Sequence, residues 1–515
     1  MLGSYTTADT TAGTVRGVRA GGIRTFLGIP YGASVSGEHR FTAPRPVEPW
    51  PGIRDAFDFG PAAPQLDPRV DANAGFHDVL RLLYPGVPTP LEGRPAAEDC
   101  LVLNVWASVA DTGPKPVMVW FHGGGFVHGT GAEGWFQGDR LAASEDVVVV
   151  TVNHRLGILG FLGADEPEPE EASGVAGMLD LVLALRWVRD NIAGFGGDPA
   201  NVTVFGQSGG GGKVAALMAM PAARGLFHKA IMQSAPFLGA MDLIEAAKVR
   251  QDVLRYTGAE DLAQLRRVPL SAVLAAQAEV MRGGPVPFAP VWHPVELPEP
   301  SFAEASSAGT DHVPLLIGAT THEFALMLAA EGWYHSMTSA ELPRRFEEFF
   351  GSGGRDALAR FRESEPDSPP QLVLARATTE AAFGRPTVRL REAKAAQAAA
   401  VYAYRLDYRT EVLGGILGAH HSLDLPFVFG NVDRSPVAGN RPERFAVSAA
   451  MTRSWANFAR NGVPGHDGLP GWPSFTESGS EMVFAEEPRL TPVTPPSEST
   501  VGFTPFSGNS SDPTG

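Results

Sequence analysis

The chain has 515 residues and a formal net charge of −16, from 41 Lys and Arg against 57 Asp and Glu. On average that charge repels a nucleic-acid polyanion or an anionic membrane surface, so neither is an expected partner. Hydrophobic residues at 44% and charged ones at 19% suit a globular protein with a sizeable core and exclude a wholly disordered chain. The single cysteine, Cys100, cannot form an intramolecular disulfide, so folding needs no oxidising compartment. The N-terminus lacks a basic segment followed by an apolar stretch, and no apolar run is long enough to cross a bilayer. The expectation is a soluble, cytoplasmic protein.

In chain order, residues 14–32 read as two short strands joined at Gly21-Gly22, because a Gly-Gly pair between alternating residues favours a tight hairpin. Residues 60–97 are rich in proline and glycine, show no period, and read as a long surface loop and candidate cover. From Leu101 onward short β-branched runs alternate with helical patterns, which predicts a mainly parallel sheet with crossover helices. The runs 116–121, 147–152 and 202–205 are apolar on both faces, as internal strands require. Between the last two, Leu181, Ala184, Leu185 and Val188 fall at helical spacing. After Ser234 the pattern is predominantly helical over about 236–310 and 325–400, with short strands at 313–317 and 401–406. Those helical insertions would cap the C-terminal edge of the sheet, where open α/β folds place their sites. A further helix is expected at 444–460 and a flexible tail at 506–515, leaving 1–505 as one α/β domain.

Gly206-Gln207-Ser208-Gly209-Gly210 fits G-x-S-x-G, directly after one strand run and before a segment able to begin a helix. A nucleophile on a sharp strand-to-helix turn needs small neighbours, so that the strained backbone is reachable and the hydroxyl stays exposed. Taken alone, the motif is equally an ordinary Gly-rich turn. The unbroken run from Gly209 to Gly212 weakens helix propagation by roughly 0.5–1 kcal/mol per residue against alanine, a cost that accompanies either close packing or flexibility. A second cluster, His122-Gly123-Gly124-Gly125-Phe126, leaves the end of the run 116–121. Consecutive glycines let backbone N–H groups converge on an oxyanion with no Cβ in the way. Two such clusters at two strand ends point to a nucleophile and its oxyanion hole, with His122 itself read as structural.

At this point the sequence resembles the type B carboxylesterase family, which also holds cholinesterases and bacterial para-nitrobenzyl esterases. Phe195-Gly196-Gly197-Asp198-Pro199, continuing through Asn201-Val202-Thr203-Val204-Phe205 to Gly210, is similar to that family's main signature, and Glu98-Asp99-Cys100-Leu101-Val102-Leu103-Asn104-Val105 to its other one. Further matches run from Gly28-Ile29-Pro30-Tyr31 to Trp455-Ala456-Asn457-Phe458-Ala459 and Trp472-Pro473. The resemblance implies an α/β-hydrolase fold, a large mainly parallel sheet flanked by helices with helical cap insertions. It implies oxyanion-hole donors at Gly124, Gly125 and Gly209. It also implies an acid in Gly318-Ala319-Thr320-Thr321-His322-Glu323, and a base in Gly418-Ala419-His420-His421, aligned as Glu323 and His421. Arg40 should meet Glu98 and Arg155 should meet Asp180 by the same resemblance. Departures are Gly209, where alanine is common, Ser422, where glycine is frequent, and Cys100, without the disulfide partner of animal members.

From the residues themselves, a serine nucleophile needs a histidine to take its proton and an anion to hold that histidine's tautomer. His420 and His421 cannot both face the serine on extended backbone, since successive side chains point apart. Glu323 has an alternative reading as a helix-capping residue after Thr320-Thr321, and Asp424 is its local competitor as the acid. The order Ser208, Glu323, His421 is the order in which α/β-hydrolases present their triads. Adjacent His420 and His421 with Asp424 lack metal-ligand spacing, so no metal and no organic cofactor is expected. The function expected is a serine carboxylesterase acting on a small-molecule ester through an acyl-enzyme on Ser208. Its alternatives are an amidase or carbamate hydrolase with the same triad, and a non-catalytic recognition protein on the same fold. Nothing in the sequence distinguishes a monomer from a homodimer.

Overall fold

The computed structural model describes residues 3–66, 79, 95–110, 112–163, 172–236, 239–282, 287–298, 302 and 309–504. Most of the loop read at 60–97, parts of the stretch 236–310, and the tail at 506–515 lie outside the described residues.

Among the described residues thirteen strands form one sheet: β1 (Ser4–Thr10), β2 (Gly13–Ala20), β3 (Ile23–Pro30), β4 (Ile53–Asp55), β5 (Val102–Ser108), β6 (Lys115–Phe121), β7 (Val148–Val152), β8 (Gly197–Gln207), β9 (Lys229–Gln233), β10 (Leu315–Thr320), β11 (Val401–Leu406), β12 (Ser480–Phe484) and β13 (Arg489–Pro492). Their order is β1-β2-β3-β5-β7-β6-β8-β9-β10-β11-β12-β13, with β4 beside β2. From β7 to β12 every neighbouring pair is parallel, and the strands outside this stretch pair antiparallel except β4 with β2. The expected large, mainly parallel sheet flanked by helices is what forms.

Alternation along the strands builds a core on each face. In β6, Val117, Val119 and Phe121 pack with Leu181 and Leu185 of the helix Ala176–Asn191 and with Val214 of the helix Gly209–Ala219. Met118 and Trp120 point the other way, into a cluster with Phe205, Phe429 and Trp455, the last on the helix Glu443–Asn461. Burial on both faces is why these strands read as continuous apolar runs.

The hairpin of β2 and β3 turns at Gly21 (φ +57°) and Gly22 (φ +80°), the backbone that the Gly-Gly pair anticipates. The strand expected at 313–317 begins later, at Leu315: Val313 N–H closes a turn onto Thr310, and Pro314 has no N–H to give a ladder. Within the stretch read as helical over 325–400 lie the helices Gly354–Ser364 and Pro370–Thr379, the latter continuing through a π-turn at Glu380–Gly384 into Arg385–Ala395. Both anticipated ion pairs form. Arg40 Nε and Nη2 each lie 2.6 Å from a Glu98 oxygen, and the fully buried Arg155 and Asp180 pair at 2.9 and 2.6 Å. No helix among the described residues is long and apolar enough to cross a membrane.

Candidate active site

Adjacent parallel strands present their C-terminal ends side by side, so residues far apart in sequence become neighbours. In the order β6-β8-β9-β10-β11 those ends lead to the His122–Phe126 loop, Ser208, Ser234, Glu323 and, fifteen residues beyond Leu406, His421.

Ser208 separates β8 from the helix Gly209–Ala219 with φ 56° and ψ −124°, a conformation that L-residues rarely adopt. The turn is closed by small neighbours: a Cβ on Gly206 would lie 2.4 Å from the Gly210 carbonyl carbon, and one on Gly210 would lie 2.0 Å from the Phe121 carbonyl oxygen. Ser208 N–H donates to the Gln233 carbonyl at 2.9 Å, and Ser208 is half-buried while its flanking residues are buried. The helix that follows directs its N-terminal N–H groups at this point, favouring negative charge there.

The glycine loop at 122–126 sits against this turn. Gly124 and Gly125 adopt φ +82° and +62°. A Cβ on Gly209 would lie 2.1 Å from the Gly125 carbonyl oxygen, and one on Gly123 would lie 3.5 Å from Ser208 Cβ. Among the described residues, the N–H groups of Gly124, Gly125 and Gly209 donate no hydrogen bond to protein.

Glu323 and His421 meet because their backbones pair: His322 N–H donates to the Ala419 carbonyl at 2.8 Å and His421 N–H to the Glu323 carbonyl at 3.3 Å. His421 Nδ1 then lies 2.5 Å from Glu323 Oε2. A carboxylate only accepts, so Nδ1 carries the proton and Nε2 is left as the acceptor. The Gln207 side-chain nitrogen lies 3.2 Å from that Nε2 and 3.4 Å from Nδ1, over the ring face, which places the imidazole beside the residue preceding Ser208. The Phe383 ring, on the π-turn, covers the imidazole at 5.0 Å between centroids.

The other Glu323 oxygen, Oε1, accepts from Thr320 N–H and from Ser234 Oγ–H, both at 2.5 Å. Thus the capping-like bond to the Thr320-Thr321 turn and the contact with His421 coexist on one carboxylate. Ser234, held at φ 51°, escaped the sequence reading: it follows β9, whose three apolar residues sit between Lys229 and Gln233 and gave no clear strand pattern. His420 turns aside, its Nδ1 donating to the His421 carbonyl at 2.7 Å. Asp424 also turns aside, accepting from Gln233 Nε2 at 2.7 Å and from the Tyr404 hydroxyl at 3.4 Å. Burial, reinforced by the nearby Glu323 carboxylate, pushes the Asp424 carboxyl up to about 6.

The sequence profile of the carboxylesterase family matches residues 4–493. The chain belongs to the carboxylesterase family. This carboxylesterase is 35% identical over 506 residues to the para-nitrobenzyl esterase of Bacillus subtilis (strain 168), covering 96% of the chain and 98% of that relative. It is 34% identical to the phenmedipham hydrolase of Pseudarthrobacter oxydans, covering 91% and 92%. Among solved structures, the Geobacillus stearothermophilus carboxylesterase superposes with a TM-score of 0.79 at 35% identity, covering 94% of this chain and 97% of that one. An esterase from Clostridium hathewayi superposes at 0.78 with 30% identity, covering 95% and 97%. The carboxylesterase therefore has the α/β-hydrolase fold and is a carboxylic ester hydrolase, as the motifs anticipated.

Proposed function

We propose that the enzyme hydrolyses small-molecule carboxylic esters by two-step acyl transfer, with Ser208 as nucleophile, His421 as general base and Glu323 as its acid partner. The observation that carries this reading is the 2.5 Å contact between Glu323 Oε2 and His421 Nδ1, made beside a serine on a strained strand-to-helix turn. His421 Nε2 takes the Ser208 proton as Oγ attacks the ester carbonyl, and Glu323 stabilises the resulting imidazolium. The N–H groups of Gly124, Gly125 and Gly209 receive the oxyanion, for which their lack of acceptors among the described residues leaves them available. His421 then protonates the leaving alcohol, and water repeats the sequence on the acyl-enzyme. The helical insertions at 236–310 and 325–400 act as the cap in this reading, supported by Phe383 lying over the imidazole. A reducing, cytoplasmic compartment suits a chain whose lone Cys100 is buried. Ser208→Ala tests the assignment: it should abolish steady-state turnover and the pre-steady-state burst with a chromogenic ester, and a surviving burst would overturn it.

A further inference from the structure

A buried, nitrogen-rich cluster lies beneath the oxyanion loop, and the reaction described above leaves it unused. Lys213, on the helix that starts after Ser208, is 0% exposed, and its Nζ donates to the His122 carbonyl at 2.9 Å. The same ammonium is 5.6 Å from the centre of the Phe126 ring. His122 Nδ1 lies 3.0 Å from the Gly123 carbonyl oxygen, which only accepts, so this nitrogen carries the ring proton. His154 stacks on His122 at 5.0 Å, and its own Nδ1 donates to the Arg155 carbonyl at 2.7 Å. The Nε2 atoms of both rings have no hydrogen-bond partner among the described residues.

The glycine run explains how the lysine reaches the loop. A Cβ on Gly209 or Gly210 would fall within 2.1 Å of the Gly125 or Phe121 carbonyl oxygen, and one on Gly211 would lie 2.9 Å from Ala235 Cβ. Close packing accompanies the weakened helix propensity, and it seats the helix backbone on the loop.

We propose that Lys213 is a positioning residue for the oxyanion loop: its ammonium holds the His122 carbonyl while the His122 ring holds the Gly123 carbonyl, fixing the two peptide planes that lead to the Gly124 N–H. The inference rests on the reading of Gly124, Gly125 and Gly209 as oxyanion donors. The first peptide plane contains His122 C=O and Gly123 N–H, and the second contains Gly123 C=O and Gly124 N–H. Both carbonyls are thereby clamped, and the second plane cannot turn without breaking the His122 bond.

The cluster keeps that charge at a cost. Burial pulls Lys213 down to about 7, opposed by the attraction of Glu133, whose Oε1 accepts from Thr130 N–H at 3.2 Å. The other ionisable groups facing it are His122 and His154, both held well below the ordinary histidine value by burial and by Lys213, with Arg155 beside His154 and paired to Asp180. Because the folded value is lowered, the folded chain binds fewer protons here than the unfolded chain between about 7 and about 10, so this group's contribution to stability falls as pH drops through that window. Removing the amine should therefore leave the fold as stable or more so, whereas a lysine retained for packing alone would be missed on melting.

The test compares Lys213→Met, Lys213→Gln and Ser208→Ala with the unaltered enzyme, using a chromogenic ester and a trifluoromethyl ketone that forms a tetrahedral adduct. Lys213→Met should lower kcat by about 10–100-fold with KM changed less than about threefold, less than the roughly 10²–10³-fold cost of removing an oxyanion donor outright. Adduct affinity should weaken in parallel and the melting temperature should not fall. Lys213→Gln, which keeps a neutral donor, should recover part of the rate. In the unaltered enzyme kcat should decline on the alkaline side as the ammonium is lost, and Lys213→Met should lack that decline. A Lys213→Met enzyme with kcat and adduct affinity within about threefold of the unaltered one, or with the same alkaline decline, would overturn the proposal. Should Lys213→Met fail to fold, adduct affinity in the unaltered enzyme decides: alkaline weakening at constant circular dichroism supports the role, and a flat profile overturns it. Turnover surviving in Ser208→Ala would overturn the serine reading itself, whereas an inactive Ser208→Ala beside a fully active Lys213→Met overturns the lysine's role alone.

Discussion

Replacing Glu323 by glutamine tests the proposed triad at the point where the structure constrains the outcome most tightly. The two side chains have nearly equal volume, so the buried site should keep its packing. Glu323 Oε1 accepts from Thr320 N–H and Ser234 Oγ–H, and the backbone donor cannot be reversed. The amide oxygen of the variant must therefore occupy the Oε1 position, which forces its NH2 group toward His421 Nδ1, where Oε2 now lies at 2.5 Å. A donor facing Nδ1 selects the tautomer protonated on Nε2, and that nitrogen can no longer accept the Ser208 proton. The analogous amide replacement in a serine protease triad costs about 10⁴-fold in kcat, or about 5.5 kcal/mol of transition-state stabilisation. Glu323→Gln should thus lose about three to four orders of magnitude in kcat with a chromogenic ester, with its melting temperature changed by only a few degrees. A loss below about tenfold in a folded variant would refute the reasoning, because it would mean that the imidazole is oriented by another group.

Asp424→Asn should retain kcat within about threefold, since Asp424 contacts Gln233 and Tyr404 while Glu323 contacts His421. The same variant has a pH signature. With its folded value raised to about 6, Asp424 binds its proton more tightly in the folded than in the unfolded state, so its contribution to stability declines as pH rises from about 4 to about 6. Urea unfolding at several pH values should show that slope removed in Asp424→Asn, with the variant more stable at pH 7 by about 1–3 kcal/mol. Ser208→Gly should be more stable than Ser208→Ala by about 1 kcal/mol in the same assay, because glycine relieves the positive φ and gives part of the gain back as unfolded-chain entropy. Asp180→Asn should cost about 3–5 kcal/mol in urea unfolding, since it leaves the buried Arg155 guanidinium without its counter-charge.

Strands buried on both faces were legible because apolar residues dominate them: β6, β7 and β11 start and stop within a residue of the runs read from the sequence, with Thr151 and Arg405 the polar residues inside β7 and β11. The glycine clusters around Ser208 and Gly124 were legible for a related reason, since close backbone approach excludes any other residue. Ser234 was not legible. Its role is set by a three-dimensional neighbour, Glu323, and serine after a short strand carries no local signal. Lys213 hid in the same way, because a lysine one helical turn past a nucleophile looks solvent-exposed until the packing of Gly209, Gly210 and Gly211 places it inside. The resemblance aligned His421 rather than His420 and Glu323 rather than Asp424, while the residues alone carried no trace of what joins them, the backbone pairing of His322 with Ala419 between segments almost a hundred residues apart. Phe383 owes its place over the imidazole to a π-turn, which no hydrophobic period announces.

The most direct measurement of the central claim is the site of covalent modification. After treatment with an organophosphate or a sulfonyl fluoride, peptide mass spectrometry should find one adduct per chain, on Ser208, in step with the loss of esterase activity, and none in Ser208→Ala. An adduct on any other residue that tracks the loss of activity, or continued labelling of Ser208→Ala, would contradict the account.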